Sequence, residues 1–175
     1  MEERRSDEDV VFTQGHRGEY VFFCKISGPN PWFSNWYPSR FRLNGKEFGC
    51  VEQYMMWQKA RLMGDAATAC KILATTAPSS MKALGRQVKN FDEQLWARER
   101  ENVVYAACLA KFQQDEVLGR KLRATQGATI VEAAPYDCIW GIGLARNDAR
   151  ALDEKRWLGL NLLGKALMRV RIQLA

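Results

Sequence analysis

Residues 51–63 read Val-Glu-Gln-Tyr-Met-Met-Trp-Gln-Lys-Ala-Arg-Leu-Met. Apolar residues recur in this segment at the spacing of a helix, which predicts an α-helix here. Glu52 and Lys59 are seven positions apart, so a helix places them about 20° from each other around its axis and about 10 Å apart along it. Both therefore fall on the apolar face that the core should cover.

An acid and an amine on one apolar face favour a functional role. Burying a charge is costly unless the group is paired or used, and ionisable groups in apolar surroundings often acquire the shifted pKa values that catalysis needs. The spacing is unsuited to an i, i+4 ion pair. The alternative is that Glu52 and Lys59 each pair with a charge from another element.

The composition indicates one compact domain. The chain has 175 residues, of which 47% are hydrophobic, and this suffices for one sizeable core. Residues 1–18 lack the apolar stretch of a signal peptide and are interpreted as a flexible lead-in; residues 19–175 form the predicted domain. The five cysteines contain no Cys-x-x-Cys pair, which indicates reduced thiols in the cytoplasm or nucleus. We expect a monomer that does not bind membranes, since no apolar run is long enough to span one.

Charge and histidine content limit the chemistry. Lys and Arg number 26 against 20 Asp and Glu, a net charge of +6, which suits a phosphate-bearing or nucleic-acid ligand but also a plain soluble surface. The one histidine, His16, argues against histidine metal sites and Ser-His-Asp catalysis. We therefore expect no metal and no cofactor, and catalysis by carboxylates, lysine or water.

The rest of the pattern predicts an α+β fold, mainly helical with a few short strands. β-Forming residues predict strands over 19–26 and from Thr129, and Asn44-Gly45 predicts a hairpin. Asn90 and Glu93 have the spacing of a capping box. Further helices are predicted at about 66–74, 78–89, 91–112, 115–124 and 161–172.

A glycine-containing loop, Asp137-x-x-Trp140-Gly141-x-Gly143, is a second candidate for the site. Glycines let a backbone approach a ligand closely, tryptophan offers a stacking face, and an aspartate can act as a base or bind a ribose hydroxyl. The alternative is a tight turn with Trp140 in the core.

Seven further residues are candidates for substrate binding. Trp96 and Arg100 are one helical turn apart. Trp96 can stack on a ring and Arg100 can hold a phosphate; the alternative is that Trp96 lies in the core and Arg100 in the solvent. Arg86 suits a phosphate through its guanidinium fork, or is a surface residue. Phe33-Ser34-Asn35 contacts a base or sugar, or covers the sheet as an aromatic loop. Asn161 caps the last helix or helps its N-terminus to hold an anion.

These motifs occur in an order that resembles the NADAR family, also called YbiA-like proteins. The resemblance covers about residues 20–172, and its specificity comes from the ordered combination of short motifs. The matching segments are Phe33-Ser34-Asn35, Glu52 to Lys59, Gly85-Arg86, Trp96 with Arg100, Lys111-Phe112, Asp137 to Gly143, and Gly159-x-Asn161-x-Leu-Gly164-x-x-Leu-Met168. One departure is Gln53, where bacterial relatives commonly carry histidine.

The resemblance implies a YbiA-like fold and N-glycosidase activity. Some relatives hydrolyse the ribosyl-amine bond of early riboflavin-pathway intermediates, releasing ribose 5-phosphate, and others remove ADP-ribose from the amino group of guanine. It implies that Glu52, Lys59 and Asp137 are catalytic and that Trp96 and Trp140 line the pocket.

The leading hypothesis is hydrolysis of ADP-ribosylated guanine in DNA, RNA or a nucleotide, with ADP-ribose as product. The riboflavin reaction is the alternative, and a non-catalytic ADP-ribose or NAD binding module is a third possibility. Lys59 is either a neutral nucleophile that forms a Schiff base or an electrostatic partner while a carboxylate activates water.

Overall fold

The structure is a computed structural model and describes residues 9–15 and 18–175. These residues form an α+β domain, mainly helical with a few short strands, as the sequence predicts. The helices are α1 (Val51–Leu62), α2 (Ala66–Leu73), α3 (Pro78–Arg86), α4 (Glu93–Gln114), α5 (Glu116–Ala124) and α6 (Leu162–Gln173). The strands are β1 (Thr13–Gly15), β2 (Gly18–Phe23), β3 (Phe41–Leu43), β4 (Lys46–Phe48) and β5 (Thr129–Glu132).

Two parallel strands organise the domain. β2 pairs with β5 so that Val21 lies opposite Ile130 and Phe23 opposite Glu132, and β1 adds to the other edge of β2 in antiparallel direction. Successive side chains point to opposite faces. Val21, Phe23 and Ile130 pack into the main core with the helices, while the residues between them, such as Val131, pack into a smaller core on the other face. The carboxyl ends of β2 and β5 thus lie side by side.

Helix α1 is the central element, and it packs against α2, α3 and α4. The sequence predicts this helix correctly. The helix is buried on more than the one predicted apolar face, because every residue from Val51 to Trp57 is buried. Because neighbours surround the helix, Gln53 is also enclosed. Its side chain accepts from the Gly49 N–H and donates to the carbonyl oxygens of Ile72 and Thr75, so the position after Glu52 has a structural role here.

A buried lysine fixes the segment before the hairpin. Lys111 on α4 is 1% exposed, and its Nζ donates to the carbonyl oxygens of Trp32 at 2.7 Å and Ser34 at 3.1 Å. The Nζ also lies 5.4 Å from the centroid of the Tyr37 ring, where a cation–π attraction operates. Burial lowers the pKa of Lys111 to about 8. The lysine thereby ties residues 32–34 to α4.

Several local predictions are confirmed and others need correction. Asn44 and Gly45 form the hairpin turn between β3 and β4, both with positive φ. The capping box is wrong: Asn90 has a left-handed backbone, and Asp92 caps α4 by accepting from the Leu95 N–H at 2.9 Å. The strand predicted over 19–26 ends at Phe23, because the chain turns through Lys25 at a φ of 52°.

The predicted lead-in contains an unpredicted strand. β1 pairs with β2 through residues 13–15, although residues 1–18 have no strong strand pattern. Residues 1–8 and His16, together with Arg17, lie outside the described residues. Over the part of the chain that is described, no helix is both long and apolar enough to cross a membrane.

We expect Lys111→Met to lower the free energy of unfolding by about 2 to 4 kcal/mol. The substitution keeps the apolar stem but leaves two buried carbonyl oxygens without a donor, each worth roughly 1–3 kcal/mol. Urea unfolding of the variant measures this loss. Lys165→Met, at an exposed position of α6, is the matched control and should change stability by no more than about 0.5 kcal/mol. Equal effects of the two substitutions would contradict the proposed tie.

Candidate active site

A cavity of about 660 Å³ opens at the carboxyl ends of β2 and β5. Ligands of open α/β sheets commonly bind at this edge, and the volume suits a ligand of nucleotide size. Its wall combines residues 34–36, α1, α3, the start of α4 and the loop after β5. It includes these predicted site residues: Ser34, Asn35, Glu52, Lys59, Arg86, Trp96, Asp137 and Trp140.

Glu52 lies in the first turn of α1 and is 3% exposed. Its backbone N–H donates to the carbonyl oxygen of Asn35 at 2.9 Å. Burial raises the pKa of its carboxyl group to about 7, although Lys82 and a hydrogen bond from the Trp36 side chain lower it in part. The predicted buried acid is therefore present, and near neutral pH it exists in both protonation states.

Lys59 lies two turns along α1 from Glu52 and is half-buried. Its Nζ donates to the carbonyl oxygen of Gly85 at 2.8 Å and lies 4.3 Å from the centroid of the Phe91 ring. Burial and the nearby charge of Arg86 lower the pKa of this amine. A neutral amine that donates one proton to a carbonyl keeps its lone pair for a ligand, so the geometry permits nucleophilic chemistry.

Asp137 organises the glycine-containing loop. Its Oδ1 accepts from the backbone N–H groups of Ile139 at 3.0 Å and Trp140 at 2.8 Å, which places the Trp140 ring in the cavity wall. The charge of Asp137 also raises the pKa of Glu52. Asp137 thus fixes the loop, and its negative charge acts on Glu52. Because Asp137 lies in the cavity wall, it can also contact a ligand directly.

Glu132 is a half-buried acid with a buried Oε2 atom, and sequence reasoning missed it. It lines the cavity as the last residue of β5. Burial first, then the charges of Asp137 and Glu52, raise the pKa of Glu132 to about 8. The available signal was alternation: Glu132 shares the core-facing side of the strand with Ile130. The wall also contains residues that the sequence did not single out as site residues: Cys24, Lys25, Ser27, Trp36, Met55, Met56, Lys82, Gly85, Ala134, Pro135 and Tyr136.

Three buried oxygen atoms in this wall have no hydrogen-bond partner among the described residues. They are Asn35 Oδ1, Glu52 Oε1 and Glu132 Oε2. Unpaired buried polar atoms are rare and costly in folded proteins. Asn35 Oδ1 and the ionised form of Glu52 accept hydrogen bonds, while Glu132, whose pKa is about 8, carries a proton near pH 7 that it can donate. The cavity is therefore matched to a ligand that supplies both donors and an acceptor.

Cations occupy another part of the wall. Lys82 and Arg86 lie four residues apart on α3, on one side of the helix, and Lys25 follows β2. Positive side chains in a cleft attract phosphate groups. The cavity therefore combines a region for hydroxyl or amino donors with a region for an anion.

Four predicted substrate-binding residues do not line the cavity and require correction. The Phe33 ring packs 6.0 Å from the centroids of Phe23 and Phe112, so the aromatic-loop alternative is correct. Gly141 allows a close packing contact, since a Cβ there would lie 2.8 Å from the Glu132 carbonyl oxygen. Arg100 is half-buried beyond the cavity wall, and its buried Nε has no partner in the described part of the chain.

Asn161 is the fourth, and its side chain also caps no helix. Its Nδ2 donates to the Ile130 carbonyl oxygen at 2.9 Å and its Oδ1 accepts from the Glu132 N–H at 3.1 Å. These bonds satisfy the free edge of β5. Asn161 therefore holds the backbone of Glu132 instead of contacting the cavity.

The match to known families agrees with this geometry. The model of the NADAR domain family matches residues 22–175. The chain belongs to the NADAR family. N-glycosidase R617 of Acanthamoeba polyphaga mimivirus is 43% identical over 161 residues, with 87% of this chain and 95% of that protein covered.

The NADAR fold is also supported by a solved structure. The NMR structure of Escherichia coli YbiA superposes with a TM-score of 0.75 at 28% identity, covering 99% of this chain and 93% of that one. A third relative is the chloroplastic riboflavin biosynthesis protein PYRR of Zea mays. It is 31% identical over 108 residues, which are 59% of this chain and 16% of that protein.

We expect Glu52→Gln to be more favourable for stability at pH 8 than at pH 5, when the variant is compared with the wild type at each pH. The folded pKa is raised from 4.5 to about 7, so the contribution of Glu52 to stability is present below pH 4.5 and lost as pH rises through 7. Glutamine does not titrate. The difference in unfolding free energy between variant and wild type should therefore shift in favour of the variant by about 2 to 3 kcal/mol.

Urea unfolding at the two pH values measures this shift. Glu101→Gln, at an exposed position of α4, is the control and should show no such pH dependence. A Glu52→Gln difference that stays constant between pH 5 and pH 8 would show that Glu52 titrates normally.

Proposed function

We propose that this NADAR protein is an N-glycosidase that hydrolyses the C–N bond between ADP-ribose and the amino group of guanine. The substrate is ADP-ribosylated guanine in DNA, RNA or a nucleotide, and ADP-ribose is the product. N-glycosidase activity is the coarser part of this proposal, supported by family membership and by the name of the mimivirus relative.

The observation that carries the proposal is the set of unpaired buried oxygen atoms, Asn35 Oδ1, Glu52 Oε1 and Glu132 Oε2. A ribose supplies two hydroxyl donors for Asn35 and ionised Glu52, and the glycosidic nitrogen beside the anomeric carbon accepts a proton from Glu132. These partners remove the cost of leaving the buried oxygen atoms unpaired. The same arrangement brings two carboxyl groups to the bond that breaks.

The choice of ADP-ribose rests on charge and size. Lys82 and Arg86 on one side of α3, with Lys25 after β2, can neutralise a pyrophosphate. Trp96 and Trp140 present rings in the same wall, and rings of this kind stack on nucleobases. A cavity of about 660 Å³ accommodates more than a single sugar phosphate.

The reaction we propose uses Lys59 as nucleophile. Its neutral Nζ bonds to the anomeric carbon while the C–N bond to guanine breaks, and a carboxyl group gives its proton to the leaving nitrogen. Water then hydrolyses the iminium of the ring-opened sugar, which frees Lys59 and ADP-ribose. The lowered pKa of Lys59 supports this route, because more of the amine is neutral near pH 7.

One observation favours a second candidate. The 31% match to the riboflavin biosynthesis protein of Zea mays suits an enzyme that cleaves the ribosyl-amine bond of early riboflavin intermediates. This C–N bond has the same chemistry as the bond in ADP-ribosylated guanine, but the riboflavin intermediate carries one phosphate. The two candidates therefore differ in what occupies the cationic side of the cavity.

Substrate comparison tests the proposal. The protein is incubated with ADP-ribosylated guanosine in a DNA oligonucleotide, in an RNA oligonucleotide and as free nucleoside, and separately with the riboflavin-pathway ribosylamine. We expect release of ADP-ribose from guanine, measured by liquid chromatography and mass spectrometry. Turnover of the ribosylamine alone would instead establish the second candidate.

The cationic residues provide a matched test of specificity. Arg86→Gln should raise KM for the ADP-ribosyl substrate by about tenfold, the effect of roughly 1.4 kcal/mol in binding. Lys71→Gln, exposed on α2 outside the cavity, should leave KM unchanged. Binding of ADP-ribose without turnover of any substrate would identify a binding module and refute the proposed hydrolase.

Borohydride reduction tests the role of Lys59. Reduction during turnover should fix ADP-ribose to the protein, with the mass increase on the peptide that contains Lys59. Lys59→Arg keeps a positive donor for the Gly85 carbonyl but lacks a neutral amine, so it should abolish both the adduct and activity. If Lys59→Arg stays active and the wild type forms no adduct, direct attack by water is favoured instead.

A further inference from the structure

The cavity contains two deeply placed carboxyl groups whose surroundings differ, and this difference assigns them different tasks. Glu52 receives a hydrogen bond from the Trp36 side chain, and the charges of Lys82 and Arg86 act on it. Each of these favours the ionised form of Glu52. Glu132 ionises at a higher pH than Glu52, because burial first and then the negative charges of Asp137 and Glu52 raise its pKa.

We propose that Glu132 is a further catalytic residue, the acid that protonates the leaving guanine nitrogen. The inference rests on the proposed function. Glu132 is placed for this task at the carboxyl end of β5, in the wall of the cavity, with its buried Oε2 free of any partner among the described residues. A protonated carboxyl group without an internal acceptor has its proton available for a ligand.

The backbone around Glu132 is held unusually firmly for a cavity residue. Its N–H donates to Asn161 Oδ1 at 3.1 Å, and its carbonyl oxygen accepts from the N–H groups of Ala134 at 3.0 Å and Ile142 at 2.9 Å. The fixed strand end keeps the Glu132 side chain within reach of one region of the cavity, and such positioning favours acid catalysis.

The charged and titratable groups near Glu132 favour its protonated form at neutral pH, with one exception. Asp137 from the loop and Glu52 from α1 raise its pKa, and only Lys82 from α3 lowers it. Cys24 follows β2 beside it, and burial and Glu132 itself raise the pKa of that thiol. These groups keep the proton on Glu132 up to about pH 8.

The proton balance is complete. As the C–N bond breaks, its electron pair goes to the guanine nitrogen, which takes the proton from Glu132. Water then adds to the iminium carbon of the ring-opened sugar, and its two protons end on Nζ as Lys59 leaves. The Lys59 ammonium returns one proton, through solvent, to the Glu132 carboxylate, so both residues are restored and Glu132 acts only as an acid.

The test compares two leaving groups in the full-length protein. Glu132→Gln should lower kcat for ADP-ribosyl guanosine by at least about 100-fold, the usual size of acid catalysis, with little change in KM. The same ADP-ribose linked to 4-nitrophenol leaves as an anion and needs no proton, so kcat for that substrate should fall less than about fivefold. Glu101→Gln is the matched control.

A loss of equal size on both substrates would assign Glu132 a structural role and overturn the proposal, as would an unchanged kcat. Glu132→Asp, which keeps an acid but shortens its reach, should recover part of the activity on guanosine only. Thermal unfolding of each variant confirms that it is folded.

The wild-type protein provides the decisive reading if the variants do not fold. Its kcat for ADP-ribosyl guanosine should fall above about pH 8, where Glu132 loses its proton, while kcat for the nitrophenyl substrate should not. Lys111, with a pKa also of about 8, affects the fold and hence both substrates alike. A fall of the same size with both substrates would refute the role of Glu132, because Lys111 alone would then account for it.

Failure of the proposed function is separately visible. A wild-type protein that cleaves the riboflavin-pathway ribosylamine but not ADP-ribosyl guanosine refutes the substrate, and the Glu132→Gln comparison is then made on the ribosylamine, whose leaving group is also an amine. A wild-type protein that cleaves none of these substrates refutes both proposals.

Discussion

The ammonium group of Lys111 is the constraint on which the site depends. It binds the carbonyl oxygens of Trp32 and Ser34, and the next residues along the chain meet the start of α1. Asn35 accepts the backbone N–H of Glu52, and Trp36 binds the Glu52 side chain. A buried cation that pairs with backbone oxygens therefore sets the position of a buried acid, although the two groups do not pair with each other.

The fold encloses one buried acid, Glu52, and one half-buried acid, Glu132. A carboxylate enclosed without a partner is costly, and the usual response is a raised pKa that leaves the group neutral. Glu52 and Glu132 both respond in this way. The stability lost by enclosing them is offset by a core that surrounds α1 on nearly all sides. Such a trade of stability for reactivity is expected where binding needs unpaired polar groups.

The sequence predicts those parts of the molecule that depend on local signals. The hairpin follows from Asn44-Gly45, whose left-handed backbones no distant contact has to impose. Helix α1 and its two ionisable residues follow from periodicity. Glu132 was missed because a strand of four residues is too short for alternation to stand out. The clustering of Trp36 and Lys82 around Glu52 arises only when distant segments pack, which no local pattern records.

Asn161 shows how a motif can be recognised correctly and yet be given the wrong task. Its position before α6 suggests a cap or an anion site, and only the sheet topology reveals that β5 has a free edge there. The side chain covers that edge by bonding to both neighbours of Val131. Gly164 lets α6 approach so closely that a Cβ would overlap the Ile130 carbonyl oxygen. The C-terminal motif thus acts on the cavity indirectly: it fixes the backbone of Glu132, because an acid placed at the end of a strand keeps its position only if that strand is held.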